Sequence, residues 1–195
     1  MNISNRLKSG NHTSMLKYML MGAIGFGIGS FFPFNLYADM SYAYPNLTEM
    51  LIFGAIGGAS LGIISRNIKK ILCLALLGSI GISIGFIMSF VILYPLALLT
   101  RNFIIAFCTN FMLGGLITGA FYGIALRSKK GIQRMSIAGG FGFAFGGLVV
   151  FIISNTIYGI SDTPLLFGVG GTSAYIIFGT ITGIFLGLGM YFAEK

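Results

Sequence analysis

The feature that most constrains this sequence is a series of six apolar stretches, each about as long as a membrane is thick. A helix needs about 20 mostly apolar residues to cross a hydrocarbon layer of roughly 30 Å. Cut at its charges and prolines, the chain supplies six such segments, which predict an all-α, polytopic bundle of six transmembrane helices. The segments are Leu16 to Leu36, Leu47 to Ser65, Ile68 to Tyr94, Asn102 to Leu126, Ile132 to Tyr158 and Leu165 to Phe192.

The composition also favours lipid as the surrounding solvent. Of the 195 residues, 56% are hydrophobic and 8% are charged, whereas an ordinary soluble domain is about 25% charged. Pro33, Pro45, Pro95 and Pro164 lie at or near the predicted helix ends, where proline is tolerated. A membrane β-barrel would need alternating apolar and polar residues, which runs such as Ile71 to Leu77 lack. We expect a polar cytoplasmic tail at 1–15 and a single transmembrane domain at 16–195.

The distribution of charge predicts how the chain is oriented. Eleven of the twelve Lys and Arg residues fall on the side of the N-terminus, and Arg101 falls on the other. Asp39, Glu49 and Asp162 lie on the side of Arg101, and Glu194 lies on the opposite side. Basic residues collect on the cytoplasmic side, so we expect both termini to be cytoplasmic, in the inner membrane of a prokaryote. The net charge of +8 would attract anionic lipids, but its division among short turns does not favour nucleic acid.

Glycine recurs with two alternating spacings, which predict three repeated hairpins at about residues 16–66, 68–127 and 132–192. The even-numbered helices have glycine at every fourth position, and the odd-numbered helices have G-x-x-G-x-x-x-G. Corresponding glycines lie 56 and 61 residues apart in the odd set, and 61 and 64 apart in the even set. The odd set is Gly22, Gly25, Gly29, Gly78, Gly81, Gly85, Gly139, Gly142 and Gly146, and the even set is Gly54, Gly58, Gly62, Gly115, Gly119, Gly123, Gly179, Gly183 and Gly187.

These glycines are predicted helix-packing positions. Residues four apart lie on nearly the same helix face, and glycine there allows a second backbone to approach closely. The result would be a tight bundle of three pseudo-equivalent hairpins, arranged around an approximate threefold axis. The alternative is that some glycines line a narrow pore, or a groove that holds a lipid or a quinone. No other cofactor is predicted.

Several chemistries lack the residues they need. All four carboxylates lie at or beyond the ends of the predicted helices, whereas an ion-coupled pump keeps an ionisable group within the membrane. His12 is the only histidine, so neither a histidine-based triad nor a multi-histidine metal site can be built. We therefore expect no enzyme, no catalytic residue and no metal site.

Uncharged polar residues within the spans have two interpretations. They could form hydrogen bonds between helices or line a site for a neutral solute. Asn110 is the costliest of them to leave unpaired, so it is the best marker of a buried contact between helices. The set is Ser79, Ser83, Asn110, Thr118, Thr172, Ser173, Thr180 and Thr182.

The outer side of the bundle is where we would expect a ligand or a partner. Its longest loop is rich in aromatic residues, which either form an interfacial belt or serve as a lid or docking surface. The candidate residues are Tyr37, Asp39, Tyr42, Tyr44, Glu49, Arg101 and Asp162.

Two family resemblances bear on function. The stretches Gly54 to Lys70 and Gly115 to Lys130 resemble uncharacterised glycine-zipper multi-pass membrane proteins of prokaryotes. The stretch Phe32 to Lys70, a proline-aromatic loop before a glycine-rich helix with a basic end, is similar to the S components of energy-coupling-factor vitamin transporters. That similarity implies six helices and an outer loop that caps a substrate. The first helix has glycines where that family has a small-residue alanine pattern for its partner subunit, and the threefold repeat is not that family's pattern.

The sequence thus leaves two functional hypotheses. The leading one is a non-enzymatic membrane protein that packs, scaffolds or stabilises a larger complex, with membrane lipids and other membrane subunits as partners. The other is a transport component for a small neutral or weakly charged solute.

Overall fold

A computed structural model of the protein describes residues 3–36, 47–158 and 171–195. Within those ranges the chain forms α-helices joined by short turns, and no strand occurs. The helices are α1 (Ile3–Leu36), α2 (Leu47–Ile63), α3 (Ile68–Thr100), α4 (Phe103–Ala125), α5 (Lys129–Tyr158) and α6 (Gly171–Ala193).

Four of these helices are long and apolar enough to cross a membrane. The candidate spans are Ile68–Leu93, Ile104–Ala125, Lys129–Ile153 and Ser173–Ala193. Helix α2 is apolar but has 17 residues, which corresponds to a length of about 25 Å. These helices are compatible with an integral membrane protein. Six spans and cytoplasmic termini stay predictions.

Two helices are longer than their predicted spans. Helix α1 begins at Ile3 rather than at Leu16, so it includes most of the polar segment before the predicted span. Helix α3 continues past Tyr94 and includes Pro95 before it ends at Thr100. A proline within a helix removes one hydrogen bond, to the carbonyl four residues earlier. With only five residues left in the helix, the last turns of α3 still form.

Each of the three turns between described helices contains an arginine with a left-handed backbone, followed by a residue that caps the next helix. Arg66, Arg101 and Arg127 have φ values of 52°, 50° and 54°, which is the left-handed region. The residue after each arginine caps the next helix. Asn67 accepts hydrogen bonds from the N–H groups of Lys69 and Lys70, Asn102 from that of Ile105, and Ser128 from that of Gly131. Capping by Ser128 explains why α5 starts three residues before the predicted Ile132.

The six helices form a closed ring in sequence order. Each helix packs against its neighbours in the chain, and α6 packs against α1. We call the end of the ring that carries the turns at Arg66 and Arg127, with Glu194 and Lys195, the termini end. The opposite end, with Glu49 and Arg101, is the loop end.

Aromatic rings from all six helices fill the middle of this ring. Phe178 of α6 contacts the rings of Phe53, Phe86, Phe111 and Phe143, with centroids 5.3–6.4 Å apart. The ring of Phe26 in α1 lies 5.3 Å from that of Phe53 and 5.9 Å from that of Tyr122. All seven side chains are buried. We call Phe26, Phe53, Phe86, Phe111, Tyr122, Phe143 and Phe178 the aromatic core.

Candidate helix-packing site and buried polar residues

The even-set glycines of α2 place its backbone directly against that of α3. A Cβ built on Gly58 would lie 2.7 Å from the carbonyl carbon of Leu74. A Cβ on Gly54 would lie 2.5 Å from the oxygen of Gly78, and one on Gly62 would lie 2.6 Å from the Cα of Ile71. Carbon atoms pack at about 3.5–4.0 Å, so these three positions have no space for a side chain.

Helices α4 and α5 meet in the same way. A Cβ on Gly119 would lie 2.6 Å from the carbonyl carbon of Met135, and one on Gly115 would lie 2.7 Å from that of Gly139. Met135 precedes Gly139 by four residues, as Leu74 precedes Gly78. The two interfaces therefore pair corresponding residues.

The interface between α6 and α1 also uses glycines, but no peptide turn connects these helices. A Cβ on Gly183 would lie 2.5 Å from the carbonyl carbon of Gly22, and one on Gly187 would lie 2.7 Å from that of Tyr18. The pairing in the other two interfaces would place Gly183 against Tyr18. We call the interface between α6 and α1 the seam. Relative to the other two glycine interfaces, the two helices of the seam are displaced along each other by about one helical turn.

The second and third glycines of each odd-set pattern pack within the predicted hairpin. Gly25, Gly81 and Gly142 meet the side chains of Ser60, Phe121 and Phe185. Gly29, Gly85 and Gly146 meet the carbonyl oxygens of Phe53, Gly114 and Phe178, at 3.2, 2.5 and 3.3 Å from a built Cβ. In both cases the three contacted residues are 61 and 64 residues apart, like the even-set glycines.

Every one of the 18 glycines singled out in the sequence lies against another helix. A Cβ built on any of them would have an atom of a different helix within 3.2 Å. This arrangement is the geometry that a packing role requires, and the threefold repeat stays a prediction.

Two threonines add hydrogen bonds beside the glycines. The hydroxyl of Thr118 donates to the carbonyl of Gly81 at 3.2 Å, and that of Thr182 donates to the carbonyl of Gly142 at 3.4 Å. The two bonds join corresponding residues of the second and third hairpins. In the first hairpin the residue that corresponds to Thr118 and Thr182 is Gly57, and the ring of Phe26 fills the space beside it.

Two other buried polar side chains each have an oxygen atom without a hydrogen-bond partner among the described residues. Asn110 is 1% exposed, and its side-chain oxygen has no hydrogen-bond partner there, although its backbone carbonyl accepts from Ser89 at 3.3 Å. The hydroxyl of Ser83 is also buried and without a partner. The structure thus buries Asn110, but its side-chain oxygen accepts no hydrogen bond from the described residues.

Only part of the predicted outer-side site falls within the described residues. Glu49 lies in the first turn of α2 at the loop end and is 6% exposed. Arg101 is exposed at the turn between α3 and α4. Glu49 therefore faces the interior of the bundle, whereas Arg101 faces outward. Tyr37, Asp39, Tyr42, Tyr44 and Asp162 lie outside the described residues.

Sequence reasoning missed a polar cluster at the termini end. The carboxylate of Glu194 accepts hydrogen bonds from the Tyr18 hydroxyl and the Lys70 ammonium group, and it forms an ion pair with Lys70. Arg134 donates to the carbonyl of Phe192. These contacts connect the end of the chain to α1, α3 and α5. The sequence feature that could have indicated this cluster is Glu194, because it is the one acidic residue on the strongly basic side.

Sequence reasoning also missed the aromatic core, although the sequence marks most of it. Phe26 and Phe143 each follow the second glycine of an odd-numbered helix. Phe53 and Phe178 each precede the first glycine of an even-numbered helix. Because glycine faces a neighbouring helix at these positions, the adjacent residue is turned toward the centre of the ring.

Comparison with protein-family models, curated proteins and solved structures gives no match to this chain.

Proposed function

We propose that this chain is a non-enzymatic, multi-pass integral membrane protein that packs, scaffolds or stabilises a larger membrane complex. Six transmembrane helices, built as three repeated glycine-rich hairpins with cytoplasmic termini, form the packing unit. The observation that carries the proposal is the aromatic core, to which every helix contributes a ring. A bundle with its centre filled in this way is suited to a rigid structural role.

The outer surface supports the same proposal. Large apolar side chains are exposed on every helix, including Leu20, Leu51, Leu76, Ile104, Phe141 and Phe192. In a membrane these side chains contact lipid tails or a neighbouring subunit. Since burial from water does not drive helices together in lipid, close packing and hydrogen bonds decide association there. A partner subunit would bind where its surface fits one face of the ring.

Photo-crosslinking in native membranes tests this proposal. A photoreactive phenylalanine would replace Leu20, Leu76, Ile104 or Phe141, one at a time, and Leu74 would serve as a buried control two residues from Leu76. We expect neighbouring outward positions to give one discrete protein adduct, and the remaining positions to give lipid adducts. Lipid adducts alone from all four positions would contradict a role in a complex.

One observation favours a second candidate, a transport component for a small neutral or weakly charged solute. The buried side-chain oxygen of Asn110 has no hydrogen-bond partner among the described residues, and an unpaired acceptor of this kind costs about 1–3 kcal/mol. A solute that donates a hydrogen bond would remove this cost.

Native mass spectrometry of the purified wild type and Asn110→Leu separates the candidates. A small molecule retained by the wild type and lost from the variant would favour transport, whereas no retained molecule and a variant at least as stable as the wild type would favour the packing role.

A further inference from the structure

Nearly all basic side chains of the described chain lie at the termini end of the ring. One acidic side chain, Glu194, accompanies them there, and it forms an ion pair with Lys70. At the loop end the described charged residues are Glu49, which is buried, and Arg101. The basic side chains at the termini end are Lys17, Arg66, Lys69, Lys70, Arg127, Lys129, Lys130, Arg134 and Lys195.

Two turns concentrate this charge in an unfavourable position. The first turn of α3 contains Lys69 and Lys70, the first turn of α5 contains Lys129 and Lys130, and neither contains an acidic residue. The N-terminus of a helix has a partial positive charge, so lysine there is repelled and an anion is attracted. Arg66 and Arg127 precede these helices and add a further charge to each turn.

Exposed apolar side chains adjoin both turns. Ile63 and Ile68 flank the turn at Arg66, and Ile124 and Ile132 flank the turn at Arg127. All four are large hydrophobic residues with exposed surfaces. Each turn thus places cationic groups beside a surface suited to hydrocarbon. A phospholipid with an acidic headgroup matches this surface, because its negatively charged headgroup lies next to its apolar acyl chains.

We propose that the two turns form a binding surface for anionic phospholipids. The headgroup phosphate binds the side chains of Arg66 and Lys69 at one turn, and those of Arg127, Lys129 and Lys130 at the other. The acyl chains lie against the neighbouring isoleucines. This inference rests on the membrane placement in the proposed function, and it adds a specific lipid class to it.

A matched pair of arginines provides the test. Arg127 and Arg101 are both exposed and both have left-handed backbones, with φ of 54° and 50°, but they lie at opposite ends of the ring. Binding of phosphatidylglycerol and of phosphatidylcholine to the purified full-length protein would be titrated by native mass spectrometry. The variants would be Arg127→Gln, Arg101→Gln and the double variant Lys129→Gln with Lys130→Gln. Melting temperature and gel-filtration volume would verify that each variant is folded.

We expect the wild type to bind phosphatidylglycerol more tightly than phosphatidylcholine. Arg127→Gln should weaken phosphatidylglycerol binding by about fivefold and the double variant by about 25-fold, because each charge near an anionic surface contributes a similar increment. Arg101→Gln should change it by less than about twofold, and phosphatidylcholine binding should not respond to any variant.

Three results would overturn the inference. They are equal affinity of the wild type for the two lipids, equal losses in Arg127→Gln and Arg101→Gln, and displacement of phosphatidylglycerol by the same concentration of inorganic phosphate. The last result would identify a site for a free anion instead of a lipid. Membrane placement is tested separately, because a protein that stays dispersed in buffer without detergent would contradict the proposed function itself.

Discussion

Adding a single methyl group at Gly119 should destabilise the bundle. A Cβ there would lie 2.6 Å from the carbonyl carbon of Met135 and 2.8 Å from the Cα of Ser136. Ordinary carbon contacts lie at about 3.5–4.0 Å, so α4 and α5 must separate locally by about 1 Å. A gap of that size forfeits about a quarter to a half of the dispersion energy of each affected contact.

The expected magnitude follows from two opposing effects. An extra methyl group in a packed interface costs about 1–3 kcal/mol. Alanine stabilises a helix relative to glycine by up to about 1 kcal/mol, which offsets part of this cost. We therefore expect Gly119→Ala to lower the free energy of unfolding by about 1–2 kcal/mol. Gly119→Leu should lower it further, since a larger side chain forces the two backbones farther apart.

A nearby glycine serves as the control. Gly131 is also buried and lies in the first turn of α5, but the nearest atoms to its built Cβ belong to the side chains of Leu126 and Ser128, at 3.2 and 3.4 Å. Gly131→Ala should leave stability unchanged or raise it by up to about 1 kcal/mol. Unfolding in detergent by added dodecyl sulfate would be followed by far-ultraviolet circular dichroism, since the chain has no tryptophan. If Gly119→Ala were as stable as the wild type, the close-packing argument would be wrong.

Two further predictions use the same unfolding measurement. Arg127→Gly should raise the free energy of unfolding by about 0.5–1 kcal/mol, because glycine adopts the φ of 54° without the steric cost of a side chain; a loss of stability would contradict this reasoning. Thr118→Val should lower it by about 0.6 kcal/mol, the average for a hydrogen bond between membrane helices, because valine keeps the shape but cannot donate to Gly81. An equal loss in Thr100→Val, whose hydroxyl bonds to Leu96 of its own helix and to Asn102 of the adjoining turn, would argue against a specific role for the bond between helices.

Helix positions were largely predictable from the sequence, because polar and basic residues interrupt the apolar stretches. Helix α4, for example, was predicted at 102–126 and is observed at Phe103–Ala125, between Asn102 and the turn at Arg127. The predicted span of α3 ended at Tyr94, close to the candidate span Ile68–Leu93, but the helix itself continues to Thr100 because a proline near the end of a helix costs too little to stop it. Helix α1 likewise begins before its predicted span, since a membrane boundary and a helix end need not coincide.

The candidate site was predictable in part. The glycine spacing identified residues that lie between helices, because a fourfold spacing keeps them on one helix face. The spacing could not show which atom each glycine would meet, since that depends on how two helices slide past one another. The sequence also could not show that the side-chain oxygen of Asn110 lacks a hydrogen-bond partner, because this depends on which side chains surround it and not on Asn110 itself.

The seam between α6 and α1 shows how such sliding is decided. In the other two glycine interfaces, a short turn at Arg66 or Arg127 connects the helices and fixes their relative height. No turn connects α6 to α1, and glycine at every fourth position presents nearly the same groove after a shift of four residues, about 6 Å. Packing alone therefore allows two registers, and contacts outside the groove must choose between them. The hydrogen bond from Tyr18 to Glu194 holds the residues after α6 beside α1 in the observed register. The departure from threefold regularity therefore occurs at the one glycine interface whose two helices are not connected by a turn.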